Sequence, residues 1–176
     1  MAGMKVAQQL TTWTPSAIID VEGDPSAIRF FKYNSIRSLY LIGSLKNPAI
    51  PTFANEITEA GFEVFADWHN PGPDADDFHR DYAKARGWSY RQFLEGYAAK
   101  NIFEFDKFHM DRCDAAVLLM PAGKSGHLEL GYTIGRGKPG YLVFEEEPER
   151  YEIMVQFATQ IFFSRQEFLT FLKEKK

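Results

Sequence analysis

The run Ala115 to Met120 (AAVLLM) contains no polar side chain, and few places in a folded chain suit a segment so short and so apolar. A half-exposed strand would alternate, and a surface helix would carry an apolar stripe. An uninterrupted run reads as a central strand covered on both faces, as in a parallel sheet. The pattern recurs at Ser38 to Gly43 (SLYLIG), Phe62 to Ala66 (FEVFA) and Gly140 to Phe144 (GYLVF), and Gln160 to Phe163 adds a fifth strand.

Helical segments separate these runs. Pro51 suits the first turn of a helix in which Phe53, Ile57 and Ala60 recur at helical spacing until Gly61 stops it. Strand, helix and strand follow within about thirty residues, which favours a parallel crossover. Further helices are expected from about Asn101 to Arg112, from about Gly126 to Arg136 with Gly137-Lys138-Pro139 ending it, and from Arg165 to Lys173, where Phe168, Leu169 and Leu172 share one side. The expected fold class is α/β, a doubly wound parallel five-stranded sheet of the flavodoxin-like type. Such sheets bind ligands beyond the carboxyl ends of their strands. That directs attention to Gly43-Ser44-Leu45-Lys46-Asn47, Asp67-Trp68-His69-Asn70 and Gly123 to Glu129.

Two regions stand apart from the alternation. Residues 1–36 hold two β-rich pieces, Ala17 to Val21 and Ala27 to Tyr33, around the turn-forming Glu22-Gly23-Asp24-Pro25, and read as an N-terminal arm or hairpin. Within the domain over 37–176, residues 67–105 form a polar loop followed by one or two aromatic-rich helices, a lid insertion. Ser89 and Gln92 match a capping box, after which Tyr90, Phe93, Leu94 and Tyr97 are expected on one helical face. The aromatic side chains of this insertion exceed what a loop needs, so a lid or a subunit contact is expected, and with it a homo-oligomer, dimer or higher.

With 176 residues, 45% apolar, the chain can bury one sizeable core but not two full-sized domains. Its formal charge of -4 offers no basic footprint for a nucleic-acid polymer. Cys113 is the single cysteine and has no partner for an intrachain disulfide, which suits a reducing cytoplasm. The opening MAGMKVAQQL lacks the apolar stretch of a secretion signal, and no run approaches the roughly 20 apolar residues that span a bilayer. A cytoplasmic protein without membrane partners is expected. Asp74, Asp76, Asp77, His79 and Asp81 match neither a calcium loop nor a zinc helix, so a solvated lid segment and no metal are expected.

The chemistry centres on Glu129, expected in the first turn of the helix after the central strand. Cleaving an N-glycosidic bond builds positive charge at the anomeric carbon, and a carboxylate beside that carbon stabilises it or attacks it. An early helical glutamate also complements the helix dipole, worth about 0.3 to 1 kcal/mol, and that role alone would account for it. Ser125 and Gly126 present backbone N–H groups at the helix start, which suit a phosphate or a sugar hydroxyl. Gly131 and Gly135 would each cost about 1 kcal/mol inside a helix relative to alanine, and a close helix-to-sheet contact is the expected reason. After the second strand, the Trp68 ring is suited to stacking on a nucleobase while Asp67 and His69 read its edge, although loop packing accounts for these residues equally well.

Three motifs occur in order: Tyr40-Leu41-Ile42-Gly43-Ser44 on the first strand, Asp106 and Asp114 in DKFHMDRCDAAVLLM, and the turn SGHLELGYTIGRGKP. On these residues the chain resembles the nucleoside 2-deoxyribosyltransferases and their relatives, the nucleoside 5'-monophosphate N-glycosidases, over roughly residues 38 to 144. The resemblance implies a nucleoside deoxyribosyltransferase-like domain that cleaves or transfers the N-glycosidic bond of a (deoxy)nucleoside or nucleoside 5'-monophosphate without a cofactor. It implies Glu129 as nucleophile, Asp106 in substrate positioning and proton transfer, and Tyr40 beside the nucleophile. It also places Gly43, Ser44, Ser125 and Gly126 around the sugar and its 5' substituent. His127 stands where threonine is common in this turn. The long insertion and the N-terminal arm have no counterpart in small members.

Two other readings stay open on sequence alone. Pro121 to Glu129 echoes the turn of lysine-decarboxylase-like phosphoribohydrolases, but the second glycine of that turn is missing. A non-catalytic module that binds a nucleotide derivative would use the same crevice.

Overall fold

The computed structural model describes residues 35–175 and, before them, the backbone of two short strands. The chain divides into units of 1–33 and 34–176. In the first, β1 (Ala17–Ile19) and β2 (Ile28–Phe30) pair antiparallel, with Ala17 opposite Phe30 and Ile19 opposite Ile28. The expected turn over 22–25 lies outside the described residues.

The second unit is the expected α/β domain. Its strands are β3 (Ser38–Ile42), β4 (Glu63–Phe65), β5 (Ala115–Leu119), β6 (Gly140–Val143) and β7 (Gln160–Phe162). They form one all-parallel sheet in the order β4-β3-β5-β6-β7. Every residue of β3, β5 and β6 is buried, as their unbroken apolar character requires. The strand order reverses direction between β3 and β5, which makes the carboxyl ends of those two strands the switch point where such sheets open a crevice.

Successive side chains alternate between two layers. Leu39, Leu41, Val117 and Leu119 point into the layer formed by α1 (Ala49–Glu59) and α6 (Arg165–Lys173), against Ile50, Phe53, Ile57, Phe168 and Leu172. Each of these helical side chains is essentially solvent-free, worth roughly 1.5–3 kcal/mol of burial apiece. Tyr40, Ile42, Ala116 and Leu118 point the other way, into a layer with Met110, Cys113 and Leu130. Met110 and the capping Cys113 lie at the end of α4 (Tyr97–Arg112), and Leu130 lies in the middle of α5 (Lys124–Gly135). Helices on both faces make the sheet doubly wound.

Asp114 sets where the central pair begins. Its carboxylate accepts from the Arg37 and Ser38 backbone N–H groups at 2.9 Å each and from the Ser38 hydroxyl at 3.0 Å, while the Asp114 N–H donates back to that hydroxyl at 3.1 Å. Lys138 gathers the end of α4 in the same region, donating to the carbonyls of Met110, Asp111 and Cys113.

The insertion differs from expectation in one respect. Its capping box forms, with Ser89 N–H donating to Gln92 Oε1 at 2.8 Å and Gln92 N–H to Ser89 Oγ at 3.3 Å. The helix it starts, α3 (Tyr90–Glu95), follows α2 (Ala75–Ala85) and is short, because Gly96 is extended (φ -70°, ψ 153°) and α4 begins directly after it. Tyr97 therefore belongs to another helix and is 95% exposed, so no common face unites it with Tyr90 and Phe93. No helix among the described residues is long and apolar enough to cross a membrane.

The glycines of α5 correct a second expectation. A Cβ at Gly131 or Gly135 would meet nothing within 4 Å, so neither marks a close helix-to-sheet contact. The tight approaches are at Gly126, where a Cβ would lie 3.1 Å from both Ile42 and Leu118, and at Gly140, where it would lie 2.5 Å from Ile134 Cγ1. Gly131→Ala and Gly135→Ala should each raise stability by about 0.5–1 kcal/mol through helix propensity. Gly140→Ala should lower it by about 1–3 kcal/mol through overpacking. Urea unfolding of the three variants checks both signs, and a loss at positions 131 and 135 would mean that this helix face is covered.

Candidate active site

Three loops leave the carboxyl ends of β3, β4 and β5 and enclose a cavity of about 460 Å³. Its floor comes from the sheet: Tyr40 on β3 and, one step beyond the strand, Gly43, Ser44 and Leu45. A Cβ at Gly43 would fall 2.3 Å from Ile50 Cδ1 and 3.2 Å from its Cγ1, so a side chain there would require Ile50 to shift. Beyond β4, a single 3₁₀ turn, Asp67–His69, brings Trp68 over the end of β3, where its indole N–H donates to the Leu41 carbonyl at 2.7 Å. That bond satisfies a strand-end acceptor and holds the ring at the cavity wall.

From the other side come Gly123, Ser125, Gly126 and Glu129 of the β5–α5 turn. Helix α5 starts at Lys124, two residues earlier than expected, so Glu129 sits in its second turn rather than its first. The tight seat of Gly126 on Ile42 and Leu118 presses this helix against the ends of β3 and β5. Asp106 reaches the same space from α4, with Ile102 and Phe105 on the same helical face. The next turn of that face carries His109, whose ring stacks on Phe65 at 3.7 Å, and Phe65 stacks in turn on Tyr40 at 5.4 Å. This aromatic column sets the position of α4, and hence of Asp106, relative to β3.

The acids lining the cavity are electrostatically linked. Burial raises the Glu129 carboxyl from its ordinary 4.5 to about 7, and the negative charge of Asp106 pushes in the same direction. Burial also raises Asp106. Tyr40 is 1% exposed, and burial, followed by the charges of Glu129 and Asp106, holds its hydroxyl far above the ordinary phenol range. It therefore remains an O–H donor beside two carboxyl groups. Two carboxyls with raised affinity for protons, next to a phenol that never ionises, can accept, hold or return a proton near neutrality.

The structure brings Tyr40, Gly43, Ser44, Asp67, Trp68, Asp106, Ser125, Gly126 and Glu129 to this one cavity. It does not bring His69 or His127 to it. His69 packs edge-on against Trp68 with ring centroids 5.5 Å apart. His127 bonds through Nδ1 to the Gly123 carbonyl at 2.9 Å and lines a second cavity of about 1020 Å³ with Lys124, Leu128, Phe144 and Tyr151. That larger space shares Gly123 with the smaller one, but its carboxylates are the exposed Glu147 and Glu152, and none is buried. The smaller cavity holds the groups suited to acid–base or nucleophilic work.

The wall also includes residues that the sequence reading did not single out for the site: Pro71, Ala75, Asp76 and His79 from the loop and α2, and Asn101, Ile102 and Phe105 from α4. Asp76 and His79 are three apart on one helix and so share a face, and Ile102, Phe105 and Asp106 form a similar stripe. Helical spacing held that signal. What it lacked was the orientation of each face. Asp77 and Asp81 from the same acidic stretch turn outward and pair with Arg80 at 2.7 and 3.2 Å. Among the described residues, no cluster of three or more His, Cys, Asp or Glu side chains is arranged to hold a metal ion.

No protein-family model matches the chain, and no curated protein matches it in sequence. Solved structures do match. CMP N-glycosidase BcmB from Clostridium botulinum is 16% identical, with 77% of this chain and 98% of that one covered at a TM-score of 0.49. The 2-deoxyribosyltransferase from Bacillus psychrosaccharolyticus is 16% identical, with 79% of this chain and 92% of that one covered at a TM-score of 0.53. The latter likeness, together with the five-stranded parallel sheet, shows that this chain has the nucleoside deoxyribosyltransferase fold.

Proposed function

We propose that this chain cleaves or transfers the N-glycosidic bond of a nucleoside or nucleoside 5'-monophosphate, with Glu129 as the attacking carboxylate. The observation that carries the reading is the meeting of Glu129, Asp106 and Tyr40, from three separate elements, on one cavity at the switch point of the sheet. The name of the similar 2-deoxyribosyltransferase structure supports it. Residues 37–176 form the catalytic domain, and 67–105 serve as its lid.

In this mechanism the ionised Glu129 attacks C1', the bond to the base breaks, and the sugar is held as an ester on the enzyme. The departing base leaves with the electron pair of the broken bond and takes a proton, which Asp106 in its acid form supplies. Water, or a second base, then attacks C1' with Asp106 accepting its proton, and Glu129 is released as carboxylate. The Tyr40 hydroxyl, held in its protonated form, keeps a neutral polar group in the same cavity as Glu129. Ser44 and the free N–H groups at the start of α5 hold sugar oxygens.

A panel of nucleosides and 5'-monophosphates, incubated with and without a free acceptor base and resolved by chromatography, tests the proposal. Free base without acceptor identifies a hydrolase, and a new nucleoside formed only with acceptor identifies a transferase. Glu129→Gln should lower turnover by roughly 10³-fold or more while ligand still binds. If the unmutated protein shows no turnover above the variant and yet binds these compounds, the chain is a binding module.

The raised Glu129 carboxyl makes the proposal pH-sensitive. The nucleophile must be ionised while Asp106 still holds a proton, so kcat/KM should be bell-shaped in pH, with the Glu129 midpoint near 7 on its acid limb. Asp106→Asn removes one like charge and leaves the burial, so the midpoint should move down part of the way towards 4.5 while the maximum falls roughly 10²-fold. An unmoved midpoint would mean that another group sets the limb.

The same ionisation acts on folding. A carboxyl raised in the folded state binds its proton more tightly there than in the unfolded chain, so its cost is absent below about pH 4.5 and grows as pH rises to 7. Glu129→Gln should therefore raise the midpoint of thermal unfolding at pH 8, by an amount equivalent to about 1–3 kcal/mol, with no gain at pH 4.5. Equal gains at both pH values would show that ionisation is not the source.

A further inference from the structure

Glu129 and Asp106 stand on different helices, and two carboxyls that line one cavity repel each other whenever both are ionised. Something must hold α4 and α5 together against that repulsion. Resting on the reaction proposed above, we infer that Asp111 and Tyr132 form a clamp between the two helices that fixes the separation of the acids, and that both are positioning residues for the reaction.

The contacts are specific. The Tyr132 hydroxyl of α5 donates to Asp111 Oδ1 of α4 at 2.8 Å, and Lys107 Nζ, one turn back on α4, donates to Asp111 Oδ2 at 2.5 Å. The same ammonium lies 5.5 Å from the centre of the Tyr132 ring, so it serves both partners. Arg136, which follows the last residue of α5, stands 3.8 Å from Asp111. The hydrogen bond from Lys107, and after it that from Tyr132, holds the Asp111 carboxyl below its ordinary range. It therefore stays ionised, and the clamp stays closed, at the pH where the cavity acids titrate. Lys138 fixes the backbone beneath it by donating to the carbonyls of Met110, Asp111 and Cys113.

The clamp is close to the acids along each helix. Tyr132 follows Glu129 by three residues and Asp111 follows Asp106 by five, roughly 4.5 and 7.5 Å along the two axes. Over so short a stretch a helix moves as a rigid element, so a shift at the clamp is carried to the carboxyls. The aromatic column positions α4 against β3, and the seat of Gly126 positions α5 against β3 and β5. The clamp ties helix to helix.

Glu129 itself reports the separation, because after burial it is the Asp106 charge that raises its carboxyl. The other titratable groups around it are Tyr40 from β3, which stays protonated, and Asp67, Asp76 and His79, which line the same cavity. His127 of its own helix turns to the larger cavity.

NMR titration of the full chain, carrying ¹³C in its glutamate carboxyls and with Glu129→Gln to assign the signal, reads the Glu129 midpoint whether or not bonds break. Tyr132→Phe removes a single hydroxyl. It should lower the midpoint from about 7 by at least about half a pH unit, because Asp106 recedes and water enters. In an Asp106→Asn background the same change should lower it by at most about half as much, since only the entry of water remains. Asp111→Ala should reproduce the fall, and Asp111→Asn, whose amide oxygen still accepts from Tyr132, should keep the midpoint within about 0.2 pH unit of the unmutated protein. Where base is released, Tyr132→Phe should lower kcat about three- to tenfold with KM within about twofold. An unmoved midpoint in Tyr132→Phe, an equal fall in both backgrounds, a fall in Asp111→Asn as large as in Asp111→Ala, or an unchanged kcat would overturn the inference. Base release measured beside the titration separates the two readings. The expected midpoints without release from any nucleoside or nucleotide retire the glycosidic reaction and keep the clamp. Release with an unmoved midpoint does the opposite.

Discussion

The Asp114 carboxylate binds two backbone N–H groups and a hydroxyl at the start of the neighbouring strand, and the site is built on that contact. Burial alone would push this acid up. The hydrogen bonds from Arg37 and Ser38 outweigh it and hold the group below the ordinary carboxylate range. With the start of β3 tied to the start of β5, Tyr40 must lie opposite Ala116, and Ile42 opposite Leu118. A slip of one residue would turn Tyr40 into the α1 layer and leave the cavity without its floor. The chemistry at the carboxyl end is thus positioned from the amino end, about one strand length away.

The cavity itself works against stability. Burying carboxyl groups side by side disfavours their charged forms, and the domain retains Glu129 and Asp106 near one another although apolar residues would pack there without that cost. The groups that hold them are mostly apolar. A column of Tyr40, Phe65 and His109 rings positions α4, and the indole of Trp68 is fixed by one hydrogen bond to a strand-end carbonyl. Packing of this kind orients an acid without neutralising it. A lysine or arginine in the same place would have restored an ordinary carboxylate and removed the raised proton affinity that acid–base work requires.

Most of the fold was legible in the sequence because buried parallel strands leave an unmistakable trace. The runs SLYLIG, FEVFA, AAVLLM and GYLVF all became strands of one sheet, each trimmed by a residue or two where the pairing stops. The lid was less legible. Its helices bury little, so nothing in their apolar spacing disclosed that extended Gly96 separates Tyr97 from Tyr90. The approach of α5 to the sheet was misplaced for a related reason. A glycine inside a helix signals either close contact or empty space, and at positions 131 and 135 it is empty space. Glu129, Asp106 and Tyr40, which line the cavity, were pointed to by the motifs that carry the family resemblance rather than by the residues alone. His69 and His127 were included only because they follow strands, and each turns to a local contact instead. Asp76 and His79 were read as part of a solvated lid segment, because an acidic stretch on an exposed helix resembles any solvated face until its neighbours are known.

The contact at Gly126 links that architecture to reactivity. A Cβ at this position would press within 3.1 Å of Ile42 and Leu118, and both of those side chains are fully buried in the central strands with little room to yield. Either those side chains or the start of α5 would have to give by a few tenths of an ångström. Where the helix gives, Glu129, one turn further along, moves with it, and so do the free N–H groups that precede it. The absence of a side chain at 126 therefore does more than close the packing of helix on sheet, because it bears on the distance between the carboxylate on the helix and the tyrosine on the strand. In a fold where the loops vary and the lid is exposed, this is the point at which core packing and chemistry constrain the same atoms.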